Sequence, residues 1–231
     1  DTLFDAFRDM TSADGPERMA EHYPDFNASL LLCLPKKISG ATEDGTVFYD
    51  ADAIRPFNVT NVANRLLATA VRLFIEPFVA GRISSAQRGF IAGRSMLANL
   101  VDIDEAMAIN AITEDSAAAV FLDFSAAFPS VEQDMMHEIF RALGWPNWLL
   151  RFIVVLYQRN FCYIVLDGAR FDGFTISRGI RQGCPLSPLL FAEASDLLIR
   201  RLQRLLPKGC IRAYADDTAV VIPDGCGNLA C

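Results

Sequence analysis

Two short runs of β-branched and aromatic residues near the end of the chain are separated only by Ala215-Asp216-Asp217. The runs are residues 211–214 and 218–222, and side chains of this kind favour extended strands. So short a connection joins antiparallel neighbours through a tight turn. The sequence therefore predicts a β-hairpin that presents two adjacent carboxylates at its turn.

Further strands are predicted where short apolar runs lie between turn-forming residues. They are residues 29–34, 120–122, 161–166 and 171–176. The run at 120–122 leads directly into Asp123, so a third carboxylate is expected at the end of a strand. The last two runs flank Asp167-Gly168, a pair that is typical of hairpin turns.

Helices are predicted between these strands. Apolar residues between positions 59 and 79 recur every three or four residues, which indicates an amphipathic helix ending near Pro77. Ser130 and Gln133 form a capping-box pattern, which predicts a helix that continues to Gly144. Two more helices are predicted at residues 147–157 and 188–206. Helices and antiparallel strands interleave without a regular βαβ repeat, which predicts an α+β fold.

Composition limits the classes of protein to which the chain can belong. With 231 residues and 52% hydrophobic side chains, it is expected to be globular. Its apolar runs fall far short of the roughly 20 residues that a membrane-spanning helix needs. The six cysteines form no CxxC pair, which predicts reduced thiols in an intracellular protein.

The net charge of −7 is unfavourable for a nucleic-acid partner, because binding to phosphates depends on Lys and Arg. The basic residues are unevenly distributed, however. They lie mainly in residues 36–94 and 141–212, whereas residues 95–140 contain none. Basic surfaces on either side of an acidic segment would suit a nucleic acid. The alternative is that most of these charges form ordinary solvated surface.

The three carboxylates at strand ends suggest a metal site. Transfer of a nucleotidyl group uses two divalent ions about 3.5–4 Å apart, and Mg²⁺ prefers oxygen ligands. A turn with Asp216 and Asp217 beside a strand ending at Asp123 would supply them. An Asp-Asp pair is also common in turns because of its local hydrogen bonds, so the pair alone leaves that alternative open.

Longer segments around these carboxylates carry a family resemblance. They are FLDFSAAF at residues 121–128, RQGCPLSP at 181–188 and YADD at 214–217. In this order they resemble palm motifs A, B and C of reverse transcriptases. Together with QRGFIAGRS at residues 87–95, their sequences are most similar to those of non-LTR (LINE-like) retrotransposon enzymes. The resemblance covers residues 30–222, most of the chain.

The resemblance implies the fingers and palm of a right-hand polymerase, with an antiparallel palm sheet packed on helices. Residues 1–28 would be an N-terminal extension, 29–112 the fingers and 113–231 the palm, ending before a thumb. It also implies that Asp123, Asp216 and Asp217 are catalytic and bind two Mg²⁺ ions, with Mn²⁺ as an alternative ion. The backbone carbonyl of Phe124 would be a further metal ligand.

Several residues would bind the incoming nucleotide if the resemblance holds. Phe128 matches the aromatic gate that leaves no space for a 2′-hydroxyl, although it could instead be a core phenylalanine. Gln182 and Gly183 match the segment that lies against the nucleotide and the template base, and a glycine lets backbone approach a ligand closely. The alternative for this pair is an ordinary loop before a helix.

Four basic residues are expected to contact phosphates, and two of them, Lys36 and Arg55, match family positions. Lys36 and Arg55 would reach the triphosphate, since Arg can bind phosphate oxygens in pairs and Lys acts as a point charge. Lys37 could be the match in place of Lys36, and both could be surface residues. Arg88 and Arg94 would contact the backbone of the template, with solvated surface as the alternative.

The function implied is that of an RNA-directed DNA polymerase. Its partners would be an RNA template, a DNA primer, deoxynucleoside triphosphates and the missing thumb and flanking domains of a longer chain, in the nucleus or cytoplasm. Without a thumb the chain is expected to be weakly active or inactive alone. Phe128 favours DNA synthesis, because RNA-dependent RNA polymerases typically carry Asp at that position. The alternatives are a catalytically silent, polymerase-derived RNA-binding scaffold and a decayed retroelement fragment.

Overall fold

A computed structural model describes residues 2–114 and 116–224 of the chain. It divides the chain into two compact units, each built from two separate stretches of sequence. The first unit combines Asp1–Ala70 with Phe128–Ser187, and the second combines Val71–Ala127 with Pro188–Cys231. The predicted division into extension, fingers and palm stays a prediction, because compactness does not assign a functional role.

Helices and strands alternate irregularly along the chain. The helices are α1 (Thr2–Thr11), α2 (Gly15–His22), α3 (Val62–Arg82), α4 (Met96–Thr113), α5 (Ala127–Ser130), α6 (Gln133–Ala142), α7 (Asn147–Tyr157) and α8 (Ser187–Leu205). The strands are β1 (Ser29–Pro35), β2 (Gly40–Ala41), β3 (Val47–Phe48), β4 (Ile54–Thr60), β5 (Ala118–Leu122), β6 (Phe161–Leu166), β7 (Ala169–Thr175), β8 (Cys210–Tyr214) and β9 (Asp217–Ile222). The predicted α+β class is confirmed. Within the described ranges, no helix is both long and apolar enough to cross a membrane.

The first unit contains a four-stranded sheet in the order β4-β1-β6-β7. Strand β1 is antiparallel to β4 and parallel to β6. The core lies along α7, where Phe152, Ile153 and Leu156 are fully buried. The side chain of Asn27 donates to the carbonyl oxygens of Val155 and Gln158, so the end of α7 is held by specific hydrogen bonds.

The second unit contains a three-stranded antiparallel sheet in the order β5-β9-β8. Its core is formed by buried apolar residues from α8, from both hairpin strands and from the segment after α3. These are Ala86, Ile199, Ile211, Ala213, Val220 and Ile222. The predicted hairpin at residues 211–222 is therefore the centre of this unit, and its burial explains the apolar runs on both sides of the turn.

Two of the predicted helices differ from the prediction by more than one residue. Helix α3 continues past Pro77 to Arg82, because Ile75 and Val79 on either side of the proline are buried and their packing offsets the lost backbone hydrogen bond. The capping-box prediction is wrong: Glu132 occupies the N-cap of α6 without a side-chain bond. Gln133 instead donates to the carbonyl oxygen of Gly179.

Of the six cysteines, Cys33, Cys162, Cys184 and Cys210 are free thiols. The other two, Cys226 and Cys231, lie outside the described residues.

Candidate active site

The hairpin turn consists of two residues. Tyr214 pairs with Asp217, which leaves Ala215 and Asp216 as the connection between β8 and β9. Ala215 has a φ of 60°, a left-handed conformation that is uncommon for a residue other than glycine. Strained backbone of this kind persists only where the surrounding structure determines it, and it is concentrated at functional sites.

The strand register brings the third carboxylate to the same end of the sheet. Leu122, the last residue of β5, lies opposite Thr218 of β9. Asp123 therefore follows one residue beyond the last pair, beside Asp217. Opposed Cα atoms in an antiparallel pair are about 4.5–5.5 Å apart. The side chains of Asp123 and Asp217 are thus close enough to bind a common ion. Asp216 directly precedes Asp217 and is the second residue of the turn.

These three carboxylates are at least partly exposed to solvent, and none is bound by another side chain in the described part of the chain. Asp123 and Asp217 are exposed and Asp216 is half-buried. Among residues 2–114 and 116–224, none of the three forms a hydrogen bond or ion pair through its side chain. Carboxylate oxygens are hard donors of the kind that Mg²⁺ prefers. Over the same residues, however, no three His, Cys, Asp or Glu side chains are arranged to hold an ion, so the two-Mg²⁺ centre stays a prediction.

The turn is bound by a residue to which sequence analysis gave no role. Gln87 is completely buried, and its Oε1 accepts hydrogen bonds from the backbone N–H groups of Ala215 (3.0 Å) and Gly89 (2.9 Å). Its Nε2 donates to the carbonyl oxygen of Ala215 (3.1 Å). Gln87 lies in the QRGFIAGRS segment, but no local signal shows that its partner is 128 residues away.

The backbone around Gln87 runs beside β8. The N–H of Ala213 donates to the carbonyl oxygen of Ala86, and the N–H of Arg88 donates to the carbonyl oxygen of Ala213, each over 2.8 Å. A Cβ atom at Gly89 would lie 2.0 Å from the backbone nitrogen of Ala215. Glycine is therefore required for this segment to approach the turn so closely.

The two arginines of the same segment are engaged within the unit. The guanidinium of Arg94 donates to the carbonyl oxygens of Ala80, Ile83, Ser84 and Gln87, over 2.6–3.0 Å. Its burial lowers the pKa of Arg94. Positive charge at this position complements the carbonyl end of α3. The predicted contact of Arg94 with template stays a prediction, since these bonds give the residue a structural role of its own.

Arg88 shares a carboxylate with a residue of the hairpin. Asp102 Oδ2 accepts from Arg88 and from Arg212 of β8, each over 2.6 Å. The bond from Arg212, together with that from Arg88, holds the pKa of the Asp102 carboxyl below its usual value. The arrangement ties α4 to β8, and template contact by Arg88 likewise stays a prediction.

In the first unit, the two predicted triphosphate ligands lie at one end of the β1–β4 pair. Arg55 is opposite Leu34, and the N–H of Lys36 donates to the carbonyl oxygen of Ala53 over 2.8 Å. Register therefore brings Lys36 and Arg55 together, although 19 positions separate them in the sequence.

The segment with Gln182 and Gly183 is fixed to the same strand pair. The N–H of Asn58 in β4 donates to the carbonyl oxygen of Gln182 over 3.1 Å. Gly183 has a φ of 107°, and a Cβ atom there would lie 2.2 Å from the carbonyl oxygen of Asn58. The conformation and the close contact both require glycine.

Phe128 contacts the other end of this segment. Its carbonyl oxygen accepts from the N–H of Ile180 over 2.8 Å, and its side chain is half-buried. A cleft of ≈ 180 Å³ follows the segment, with Pro56, Asn58, Pro129, Arg181 and Gln182 among its lining residues. Of the predicted nucleotide-binding residues, Phe128, Gln182 and Gly183 are thus brought together at residues 179–183.

Arg181, for which the sequence indicated no role, anchors this segment. It is 2% exposed, donates to the carbonyl oxygen of Leu156 near the end of α7, and lies 5.3 Å from the ring centre of Tyr157. Burial raises the pKa of Tyr157 to about 12. A cation at the carbonyl end of a helix is favourable, so Arg181 holds Gln182 to the core of the unit.

Comparison with known proteins identifies similar chains. Residues 35–227 match the family described as reverse transcriptase (RNA-dependent DNA polymerase). The chain is 26% identical to the transposon TX1 uncharacterized 149 kDa protein of Xenopus laevis, covering 74% of this chain and 14% of that protein. It is 29% identical to the Pol polyprotein of retrotransposable element R2DM of Drosophila melanogaster, covering 64% of this chain and 14% of that protein. It therefore spans about a seventh of these relatives.

Solved structures of telomerase from Candida tropicalis share the fold. The apo enzyme truncated from its C-terminal domain has a TM-score of 0.62 and 10% identity, over 97% of this chain and 50% of that one. The complex with a fragment of telomeric RNA has a TM-score of 0.64 and 11% identity, over 89% and 37%. At this identity the likeness concerns the fold alone.

Proposed function

This chain belongs to the reverse transcriptase (RNA-dependent DNA polymerase) family, and from that premise we propose that it adds deoxynucleotides to a primer 3′-hydroxyl on an RNA template. The predicted resemblance to non-LTR retrotransposon enzymes is confirmed by its relatives. The proposal concerns the activity of a longer protein, because the chain spans 14% of each of these two.

The observation that supports this activity best is the register of the three-stranded sheet. It puts Asp123 beside Asp217 at the end where the turn carries Asp216. We assign these three carboxylates, with the backbone carbonyl of Phe124, as the ligands of two divalent ions. When bound, such ions activate the attacking hydroxyl and stabilise the leaving group.

The first unit would bind the incoming nucleotide. Lys36 and Arg55 share one end of the β1–β4 pair and supply positive charge for the triphosphate. Gln182 and Gly183 are held against β4 by the bond from Asn58 and by the close approach of Gly183, and they would lie against the nucleotide and the template base. Phe128 would lie under the sugar and exclude a 2′-hydroxyl, which selects deoxynucleotides.

Primer extension by the full-length protein tests the metal assignment. Asp216→Asn should abolish Mg²⁺-dependent incorporation of dTTP on an oligo(dT)-primed poly(rA) template, because a neutral amide is a poor ligand for a hard cation. Asp172→Asn, which changes an exposed acid on β7, is the matched control and should keep the wild-type rate. If Asp216→Asn also keeps that rate, the assignment is wrong.

One observation supports a second candidate, a catalytically silent RNA-binding domain. In the described residues the carboxylates are not gathered into a ligand group. Under this alternative, wild-type protein would retain an RNA–DNA hybrid on a filter but would incorporate no nucleotide with Mg²⁺ or Mn²⁺. Incorporation that depends on Asp216 excludes it.

A further inference from the structure

Both polar atoms of the Gln87 carboxamide are hydrogen-bonded to groups in or next to the hairpin turn and to Ser195. A primary amide offers two donors and two acceptor lone pairs. Oε1 accepts from Ala215 and Gly89, and Nε2 donates to the carbonyl oxygen of Ala215 and lies 3.5 Å from Ser195 Oγ. If the amide were flipped, its NH₂ group would face the N–H groups of Ala215 and Gly89, and neither pair could form a hydrogen bond. The side chain is therefore fixed in a single orientation.

This amide holds the one strained residue of the turn. Both backbone polar groups of Ala215 are bound by Gln87, and Ala215 has a φ of 60°. A left-handed φ costs a non-glycine residue conformational free energy, so it requires compensating contacts. Gly89 also packs closely against the backbone nitrogen of Ala215.

We propose that Gln87 is a positioning residue, which fixes the turn so that Asp216 and Asp217 are held ready to bind divalent metal. Asp216 follows Ala215 directly, so rotation about the Ala215 backbone would displace its carboxylate. Because Gln87 is completely buried and its amide is bound to backbone groups, we assign it no direct contact with substrate or metal. The inference rests on the proposed function of the turn.

The test compares Gln87→Met with Ile199→Ala in the full-length protein. Methionine keeps the length of the side chain but removes its amide. Ile199→Ala opens a cavity in the core of the same unit, and Ile199 belongs to that core and not to the turn. We expect Gln87→Met to raise the half-saturating Mg²⁺ concentration for primer extension about tenfold, with an unchanged KM for primer-template. Ile199→Ala should lower the Tm but leave Mg²⁺ dependence unchanged.

Binding of Mn²⁺, followed by electron paramagnetic resonance without nucleotide, gives a readout independent of activity. Gln87→Met should weaken binding about tenfold, and Ala215→Gly in the same chain should restore part of it, since glycine adopts this φ without strain. Equal Mn²⁺ affinity in Gln87→Met and wild type, or an equal loss in Ile199→Ala, would overturn the inference.

Two further outcomes separate this inference from the proposed function. If Asp216→Asn binds Mn²⁺ as wild type does, the metal assignment itself fails. If Asp216→Asn loses Mn²⁺ and Gln87→Met keeps it, only the role of Gln87 fails. Should Gln87→Met not fold, amide exchange decides in the wild-type protein. The N–H of Ala215 should then be strongly protected from exchange. If it exchanges at the rate of an exposed turn, Gln87 does not fix the turn.

Discussion

Substitution of Gly183 by alanine tests whether residues 179–183 are held as tightly as the structure indicates. Two costs combine at this position. A φ of 107° lies outside the left-handed region that alanine tolerates, with strain of about 1–3 kcal/mol. The added Cβ would lie 2.2 Å from the carbonyl oxygen of Asn58, so backbone must move.

To relieve this overlap, residues 179–183 must move away from β4. That movement would break the bond between the N–H of Asn58 and the carbonyl oxygen of Gln182, worth about 1 kcal/mol. Overpacking adds about 1–3 kcal/mol. Together with the backbone strain, Gly183→Ala should lower the free energy of unfolding by about 3–7 kcal/mol.

Gly45→Ala is the matched control. Gly45 also has a left-handed φ, 84°, but no atom lies within 4 Å of its added Cβ. Its cost should be limited to backbone strain, about 1–2 kcal/mol. Urea unfolding followed by circular dichroism measures both variants, and amide exchange at Asn58 locates the damage. If the two variants lose the same stability, the close contact between Gly183 and β4 is not real.

Three further predictions concern the gate, a buried phenol and a buried guanidinium. Phe128→Val should raise the incorporation of ribonucleotides relative to deoxynucleotides in primer extension, and an unchanged ratio would leave Phe128 with a packing role only. Because burial raises the pKa of Tyr157 from 10 to about 12, the unfolded chain ionises first, so wild-type stability should fall as pH rises from 10 to 12. In urea unfolding across that range, Tyr157→Phe should remove this contribution, and an identical pH dependence in both proteins would refute it. Arg94→Lys cannot reproduce four bonds to carbonyl oxygens and should cost about 2–3 kcal/mol in the same assay, whereas a residue that served only the template would leave stability unchanged.

The sequence predicted the hairpin because its signals are local. Two apolar strands and the short connection between them specify each other at short range, although Asp217 proves to be the first residue of β9. The burial of Val220 and Ile222 explains why β9 is so apolar. Strand β4 was not predicted, since Pro56 disfavours a strand. The structure tolerates it because β4 lies at the edge of its sheet, where a missing N–H leaves no neighbour unpaired.

Side-chain roles were harder to predict than side-chain positions. Nothing in QRGFIAGRS distinguishes an arginine that binds phosphate from one that binds carbonyl oxygens, and Arg94 lies among four of them. The partners of Gln87 and Arg181 are 128 and 25 residues away, respectively. Only the folded chain shows that these buried polar groups hold the segments next to Asp216 and Gln182.

The distance between two bound Mn²⁺ ions shows whether Asp123 and the hairpin carboxylates bind the same pair of ions. With primer-template and a non-hydrolysable deoxynucleotide, electron paramagnetic resonance of the full-length protein should show two coupled ions about 3.5–4 Å apart. Asp123→Asn should abolish the coupling, while Asp104→Asn, an exposed acid on α4, should preserve it. If the coupled pair persists in Asp123→Asn, then β5 and the hairpin do not share a metal centre, and the three carboxylates are not the ligands of the two ions.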